Sequence, residues 1–313
     1  MNTIDVIIPV FNSQDTIIDC ISSIQMQQIP DNWKVNIIIV DDASTDKSAD
    51  FIIEHFGDQI TLIRNNNNSG RARTRNIGTR SGEGEIVVFL DSDCIFENQS
   101  VLDRFLELVN SGQDCIFVNI RSRKNDFTAY FVNDIAIKRF ASADAGNFME
   151  MTSACLAIRR SFLIKSGGFC EEYTYYGFED RDFIACLLKL NARLAVDKKC
   201  IVYHEDDIEL SVISKKMIGC AMHSAPIYFK NYPDIYRSSV YGSIDPRLSS
   251  FIPKGFFHLL VPLLPLLLKP FQSCLNNRYI PNVIKKVFVK IITFLSYIKG
   301  CIDQPVITKK ESL

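Results

Sequence analysis

An open α/β sheet, mostly parallel and Rossmann-like, is the fold class that the sequence predicts, and three observations carry it. Short apolar runs rich in β-branched residues alternate with stretches of helical periodicity, the pattern of βαβ units. The runs Val35 to Val40 and Ile86 to Leu90 are apolar almost throughout, as strands covered on both faces must be. Each run ends in polar residues: Asn12, then Asp41 with Asp42, then Asn65 to Gly70, then Asp91 with Asp93. Ligands of open α/β sheets bind outside the carboxyl ends of the strands, so four polar strand ends describe one crevice.

Taken in order, Ile4 to Val10 reads as a first strand that Pro9 brings to an end, since proline donates nothing to a central ladder. Ser13 to Gln27 carries Ile17, Ile18, Ile21 and Ile24 at helical spacing, with Asn12 or Ser13 as cap. After the second strand, Ser44 or Thr45 can cap a helix over Asp46 to Phe56. A third strand, Ile60 to Arg64, leads through the asparagine run to a helix over Arg71 to Ser81, and Ile86 to Leu90 follows. Arg71, Arg73 and Arg75 add positive charge at a helix start, where the dipole already favours an anion. Asn119 to Arg139 has no clean periodicity and reads as a connecting segment. A strand ending at Arg159, a short helix over Arg160 to Lys165, strands over Arg193 to Val196 and Cys200 to Tyr203, and a helix over Val212 to Phe229 complete this part.

Asp91 and Asp93 are two hard oxygen ligands one residue apart at a strand end, a pattern suited to a divalent cation that also holds a phosphate. Taken singly, such acids are equally those of a solvated turn, and Asp41 with Asp42 those of a capping turn. The net charge of −1 over 313 residues argues against a general nucleic-acid binder. The average hides an asymmetry. From Pro253 onward nine Lys/Arg stand against two Asp/Glu, a tail of +7 on a remainder of −8. Ten scattered cysteines, mostly within apolar runs, read as reduced thiols in a cytosolic compartment. The start of the chain shows no signal-peptide pattern.

Four segments in this order resemble the motifs of family 2 glycosyltransferases: Val6 to Asn12, Ile39 to Asp46, Asn68 to Gly78 and Leu90-Asp91-Ser92-Asp93. The resemblance covers roughly residues 4–210. It implies a GT-A fold, an inverting mechanism and a nucleotide-sugar donor, with a tilt toward a UDP-sugar. By the same resemblance Pro9, Val10, Phe11, Asn12 and Asp41 line the nucleotide pocket, with Asp41 facing the base. Arg71 and Arg75 lie near the nucleotide and diphosphate. Asp91, Ser92 and Asp93 match the DXD motif, whose carboxylates hold Mn²⁺ or Mg²⁺ and the donor's ribose-diphosphate. Such a cation suits a nucleoside diphosphate leaving group, because it neutralises the charge that develops there.

Further on, Gly167-Gly168-Phe169 and then Glu179-Asp180 opening an apolar helix are similar to chondroitin-polymerase-type members and to β-1,4-galactosyltransferases. That similarity implies acceptor binding at Gly167, Gly168, Phe169 and Glu179. Asp180 becomes the general base that an inverting transfer needs for the acceptor hydroxyl proton. Asp182 is a second candidate for the base, and acids in a first helical turn are in any case favoured by the dipole. His204, after the last strand and beside acids, is the implied third metal ligand with Asp91 and Asp93.

These expectations divide the chain into a donor-binding half, 1–118, an acceptor-binding and catalytic half of the same domain, 119–252, and a tail, 253–313. In the tail, Gly255 to Leu268 is apolar but short for a membrane span and broken by prolines. Over Asn282 to Gly300 a helical wheel gathers Asn282, Lys285, Lys286, Lys290, Thr293, Ser296 and Lys299 on one half, with Val289 and Ile292 as exceptions to the apolar other half. Such a helix suits an anionic membrane surface, or else packs on the catalytic domain or a second subunit. The expected activity is a metal-dependent transfer of a sugar to a glycan or lipid-linked acceptor in bacterial surface polysaccharide synthesis, at the inner face of the cytoplasmic membrane. A nucleotidyltransferase, or an inactive nucleotide-sugar-binding scaffold, is the alternative.

Overall fold

The computed structural model describes residues 1–204, 207–248 and 259–303. Glu205 and Asp206, the Gly255 to His258 part of the apolar segment and the expected 252/253 boundary lie outside the described residues. The chain forms two compact units, Met1–Glu171 with Asp180–Asp206, and Glu172–Glu179 with Asp207–Leu313.

The first unit is built on one eight-stranded sheet in the order β3-β2-β1-β4-β7-β6-β8-β5. The strands are β1 (Asn2–Val10), β2 (Trp33–Asp41), β3 (Thr61–Arg64), β4 (Ile86–Leu90), β5 (Cys94–Phe96), β6 (Cys115–Arg121), β7 (Cys155–Arg159) and β8 (Leu194–His204). Helices α1 (Ile17–Gln25), α2 (Ser48–Phe56), α3 (Arg71–Ser81), α4 (Val101–Asn110), α5 (Phe127–Asp144), α6 (Arg160–Ser166) and α7 (Glu179–Lys189) connect them. From β3 to β4 all neighbours are parallel. Beyond β4 the sheet is mixed: β7 runs antiparallel to both β4 and β6, β5 antiparallel to β8, and β6 parallel to β8. The mostly parallel sheet expected from the alternation therefore holds for one half only. Alternation reports local connections, whereas β7 enters from far along the chain and pairs by edge complementarity.

Alternating side chains of β1 set the layers. Ile4, Val6 and Ile8 face Ile17, Ile21 and Ile24 of α1 and join the cluster that includes Phe105 of α4. Each such side chain contributes roughly 1.5–3 kcal/mol on burial. On the other face α3 lies directly on β1: a Cβ at Gly78 would run into Ile7 and lie 3.4 Å from Val40 Cγ2. At the amino ends of the strands the fully buried Asp5 accepts hydrogen bonds from Arg160 Nη2 and the Gly84 N–H, both at 2.6 Å, and from Asn36 Nδ2 at 3.0 Å. This buried pair joins β1, the approach to β4 and the end of β7, and leaves the acids at the carboxyl ends to other work.

Local readings differ from the structure in four places. The segment 119–139 finishes β6 and then forms most of α5, whose cap is Asp126 accepting from the Ala129 N–H at 3.1 Å. Its buried residues are Thr128 and five alanine or phenylalanine positions without a clear stripe, which is why periodicity missed it. The two short strands over 193–203 are one strand, β8, with a bulge opposite Val118 and Asn119. The polar run Asp197-Lys198-Lys199 that seemed to end a strand occupies that bulge, where Asp197 accepts from the Lys199 N–H at 2.8 Å. Helix α1 starts after Thr16 rather than Asn12 or Ser13, and α2 after Lys47 rather than Ser44 or Thr45. Those earlier polar residues are spent tying the two loops together, as described below.

The second unit is helical: α8 (Leu210–Gly219), a π-helical turn (Cys220–Ser224), α9 (Ala225–Asn231), α10 (Pro233–Ser238), α11 (Val240–Ile244), α12 (Leu264–Asn276) and α13 (Asn282–Asp303). Helix α13 is held to α8 by Ser296 Oγ donating to Ser214 Oγ at 2.9 Å. The Tyr297 hydroxyl lies 2.7 Å from that of Tyr236, which donates to Asp245 at 2.7 Å. Arg247 closes the network on Asp245, again at 2.7 Å. The expected wheel is overturned here. Val289 and Ile292 are buried, as are Lys285 and Ser296 of the supposed polar face, while Val283, Ile284 and Val287 are exposed. The burial rotates toward α8 because small residues permit it: Gly300 packs so closely that a Cβ would lie 2.7 Å from Ala221 Cβ. Among the described residues no helix is long and apolar enough to cross a membrane.

Candidate active site

The loops at the carboxyl ends of β1, β2 and β3 are drawn together by side chains. Asn12 has a left-handed backbone, φ 53°, which asparagine tolerates. Its N–H donates to Ser44 Oγ at 2.9 Å and its Oδ1 accepts from the Thr45 N–H at 2.8 Å. Asp41, with no exposed side-chain surface, accepts from the Ser44 N–H at 3.0 Å and from Arg64 Nε at 3.3 Å. Asp42 accepts from the Ser69 and Gly70 N–H groups, each at 2.9 Å, and from Asn65 Nδ2 at 2.8 Å. Asp42 thus caps α3 from the neighbouring strand and supplies negative charge at its N-terminus. Between them, Val10 is buried, Pro9 is half-buried and Phe11 presents an exposed ring at the strand end.

Past β4 the chain turns at Asp91-Ser92-Asp93, with the Asp91 N–H donating to Ala154 O at 2.8 Å. Ser92 Oγ meets Ser13 Oγ at 2.7 Å. Arg71 and Arg75, four apart on α3 and so on one face, both reach Asp91: Arg75 Nη2 at 2.7 Å and Arg71 Nη1 at 3.8 Å. Burial raises the Asp91 carboxyl, but Arg75 and then Arg71 outweigh it, and the group is held below the usual carboxylate range. Asp93 points elsewhere. Cys94 of β5 is paired in register with His204 of β8, and this brings His204 Nε2 to 3.4 Å from Asp93 Oδ2. The ligand atoms of Asp93, Cys94 and His204 all lie within 4.8 Å of one another. Burial, then the charges of Asp93 and Asp91, push the Cys94 thiol far above its ordinary range, so it stays protonated. Asp91, expected with Asp93 and His204 as a metal ligand, sits outside this group and against the arginines.

Arg75 is the centre of the arrangement. Only 1 % of its side chain is exposed, its Nη1 lies 3.9 Å from Asp180 Oδ1, and its guanidinium stands 5.1 Å from the centroid of the Phe169 ring. Among the described residues neither Nε nor Nη1 has a hydrogen-bond partner. Asp180, on the first turn of α7, accepts from Thr152 Oγ1 at 3.0 Å and from Ser153 Oγ. Thr152 and Ser153 precede β7, whose antiparallel pairing of Cys155 with Leu90 carries them to Asp91. The sequence reading passed over these two hydroxyls; only a polar pair just ahead of an apolar strand could have flagged them.

Gly167-Gly168-Phe169 has a packing role. Gly167, φ 80°, is the left-handed cap of α6. Gly168, φ 78°, passes so near α3 that a Cβ would lie 2.6 Å from Asn76 Oδ1. Asn76 accepts from the Phe169 N–H at 3.0 Å and donates to the Phe169 carbonyl at 2.8 Å. The Phe169 ring is buried between Phe89, at 5.2 Å edge-on, and Phe183, stacked at 4.3 Å. It supports Arg75 from below. Glu179 and Asp182 are also buried, whereas 25 % of the Asp180 side chain is open.

A buried arginine joins the acid at the end of one strand to a partly open acid on a helix, on a mixed sheet of the GT-A type. A sequence model described as Glycosyl transferase family 2 matches residues 5–167, more than half of the chain, and the chain belongs to that family. The teichoic acid poly(glycerol phosphate) polymerase of Staphylococcus epidermidis is 24 % identical over 322 aligned positions, which take in 100 % of this chain and 42 % of the polymerase. The Escherichia coli UDP-Glc:α-D-GlcNAc-diphosphoundecaprenol β-1,3-glucosyltransferase WfaP is 36 % identical over 93 residues, 30 % of this chain and 36 % of WfaP. The chain therefore spans less than half the length of either relative. Among solved structures, the Pyrobaculum calidifontis mannosyltransferase PcManGT in complex with GDP-Man and Mn²⁺ superposes with a TM-score of 0.60 at 17 % identity, covering 95 % of this chain and 86 % of that one.

Proposed function

We propose that this chain is an inverting glycosyltransferase that moves a sugar from a nucleotide-sugar, a UDP-sugar by preference, to a hydroxyl of a glycan or lipid-linked acceptor in bacterial surface polymer synthesis. The observation that carries the reading is Arg75, which pairs with Asp91 on the donor side and reaches toward Asp180 on the acceptor side. Family membership supports the class. The acceptor named for WfaP and the product named for the S. epidermidis polymerase support the setting.

In this mechanism the Asp180 carboxylate takes the acceptor hydroxyl proton as that oxygen attacks the anomeric carbon, and the nucleoside diphosphate leaves from the opposite face. Thr152 and Ser153 fix the carboxylate by donating to it, and the Arg75 guanidinium stands beside it. Asp182, two residues on along the helix, faces a different way and is buried, which favours Asp180 as the base. Phe11 offers a face to the nucleotide base, and the Asn12 to Thr45 loops shape its pocket. Asp93 and His204 would hold a divalent cation. One carboxylate and one imidazole beside a protonated thiol fit Mn²⁺ or Mg²⁺, and the nitrogen ligand favours Mn²⁺. When bound, that ion supplies Lewis-acid neutralisation of the departing diphosphate.

The membrane surface is the proposed place of action. Val283, Ile284 and Val287 form an exposed apolar strip on α13 with Lys286 and Lys290 beside it, and Leu266 of α12 is exposed as well. None of the ten cysteines is in a disulfide, in keeping with the reducing side of that membrane.

The experiment is a panel of nucleotide sugars with Mn²⁺, read by thermal stabilisation and by transfer. Asp180→Asn should keep the donor-induced stabilisation and lose transfer by about 10²- to 10⁴-fold. Transfer at the parent rate would remove Asp180 from its role. Absence of stabilisation by every nucleotide sugar tested would remove the donor class.

A further inference from the structure

The loop Glu172–Glu179, just ahead of the proposed base, carries aromatic side chains that the chemistry above does not use. Tyr175 and Tyr176 are 52 % and 41 % exposed. The loop beneath them is tightly held. Gly177, φ 96°, comes so close to the π-helical turn that a Cβ would lie 2.6 Å from Cys220 Sγ. Phe178 adopts φ 69°, a left-handed conformation that strains a bulky residue. Its ring offsets that cost by burial against Tyr228 at 4.9 Å, Tyr241 at 5.2 Å and Tyr236 at 5.8 Å. Ser224 Oγ donates to the carbonyls of Tyr175 and Tyr176, at 3.3 and 3.1 Å. Burying Phe178 and clamping these carbonyls leaves the two tyrosine rings facing outward.

One face of Tyr175 is backed. The His223 ring stacks on it with centroids 3.8 Å apart and planes 16° apart. His223 belongs to the π turn, a distortion that helices retain mostly where a side chain must be aimed. Tyr176 is steadied by Lys216, whose ammonium stands 5.5 Å from the ring centroid. The result is a rigid aromatic surface with one open face. Tyr175 precedes Asp180, the proposed base, by five residues in the sequence.

Resting on the glycosyltransferase reading above, we propose that Tyr175, stiffened by His223 and flanked by Tyr176, is a stacking platform for a pyranose ring of the acceptor. A pyranose presents an apolar face of C–H groups with slight positive charge, which complements the negative face of an aromatic ring. A rigid tyrosine loses little entropy in making that contact. A polyol-phosphate chain offers no such face and calls for cationic forks instead. The platform therefore selects acceptors that end in pyranose rings over polyol phosphates.

Saturation-transfer NMR on the full chain tests this with methyl β-glycosides of glucose, galactose and N-acetylglucosamine, and with glycerol 3-phosphate, as probes. Saturation should reach the ring C–H protons of at least one glycoside, fall about fivefold in Tyr175→Ala and persist in Tyr175→Phe. His223→Ala should weaken it and His223→Phe restore it, a rescue that a merely structural histidine would not give. Should Tyr175→Ala not fold, the His223 pair decides by the same criterion, because it removes the backing and leaves the ring. No transfer to any glycoside, transfer untouched by these variants, or a stronger response from glycerol 3-phosphate overturns the platform. Stabilisation by a UDP-sugar with Mn²⁺, and its loss in Asp93→Asn, is measured in parallel. If that response holds and the glycoside response fails, the platform alone is wrong; if it is absent, the donor reading has failed.

Discussion

The two halves of the sheet hold their acids differently. In the parallel half, Asp41 and Asp42 are buried and accept N–H groups from their own or the neighbouring loop, three of them backbone donors at 2.9–3.0 Å. In the mixed half, Asp93 and Asp180 keep 23 % and 25 % of their side chains open, and what they face comes from other strands and helices. The first pair shapes loops. The second pair is available to ligands. A carboxylate satisfied by backbone donors is a structural element, whereas one left partly open to solvent can also meet a cation or a proton.

Substitutions can break or sharpen this contrast. The largest effect is expected on the open side: Asp93→Asn should lower transfer by at least about a hundredfold, through lost neutralisation of the leaving group, with the thermal midpoint nearly unchanged. Initial rates at saturating Mn²⁺ and a melting curve check both halves of that statement. Arg75→Met strikes between the two sides. It leaves Asp91 buried without its closest partner and should cost about 3–5 kcal/mol of stability in a denaturant titration, together with transfer. On the pinned side Asp42→Asn should behave in the opposite way to Asp93→Asn, costing about 1–3 kcal/mol of stability as the Ser69 and Gly70 N–H groups lose a charged acceptor, with only a small change in kcat. If Asp42→Asn abolished transfer in a fully stable protein, the division between shaping and reacting acids would fail.

The smallest effect is on pH dependence. Burial raises the Asp114 carboxyl, but hydrogen bonds from Arg193 reverse this and hold it below the ordinary range. Asp197 behaves likewise beside Arg104, and Asp46 beside Ser48. A carboxyl depressed in the folded state contributes stability that is present above its unfolded pKa, about 4, and is lost as pH falls through the folded value. Denaturation midpoints should accordingly drop below about pH 4, and Asp114→Asn should flatten that drop. At the alkaline end burial pushes the Cys200 thiol up to about 12, so its contribution fades as pH rises past the unfolded thiol value near 8.5. An acid limb of the same slope in Asp114→Asn would assign the loss to other carboxyls.

How much was legible divides along the same line. The parallel half could be read because its information is local: apolar runs, helical spacing and polar strand ends follow one another within a few residues. Gly167-Gly168-Phe169 was legible as a motif, but its packing contacts were not, since the left-handed backbone and the approach to Asn76 exist only once α6 and α3 are packed. The wheel of α13 failed for a related reason. Hydrophobicity alone placed Val289 and Ile292 as exceptions, yet small residues at the contact with α8 decided which side is buried.

By itself the sequence determined the parallel sheet, the acids at its edge and the family they belong to, because those follow from side-chain type and spacing along the chain. The tertiary structure alone decided which acids meet. Antiparallel β7 set Thr152 and Ser153 against Asp180, and the pairing of β5 with β8 set His204 against Asp93. Arg75 was claimed by the two carboxylates rather than left to solvent. These contacts join residues tens of positions or more apart, and only the closing of the sheet, driven by burial of its apolar faces, brings them within reach.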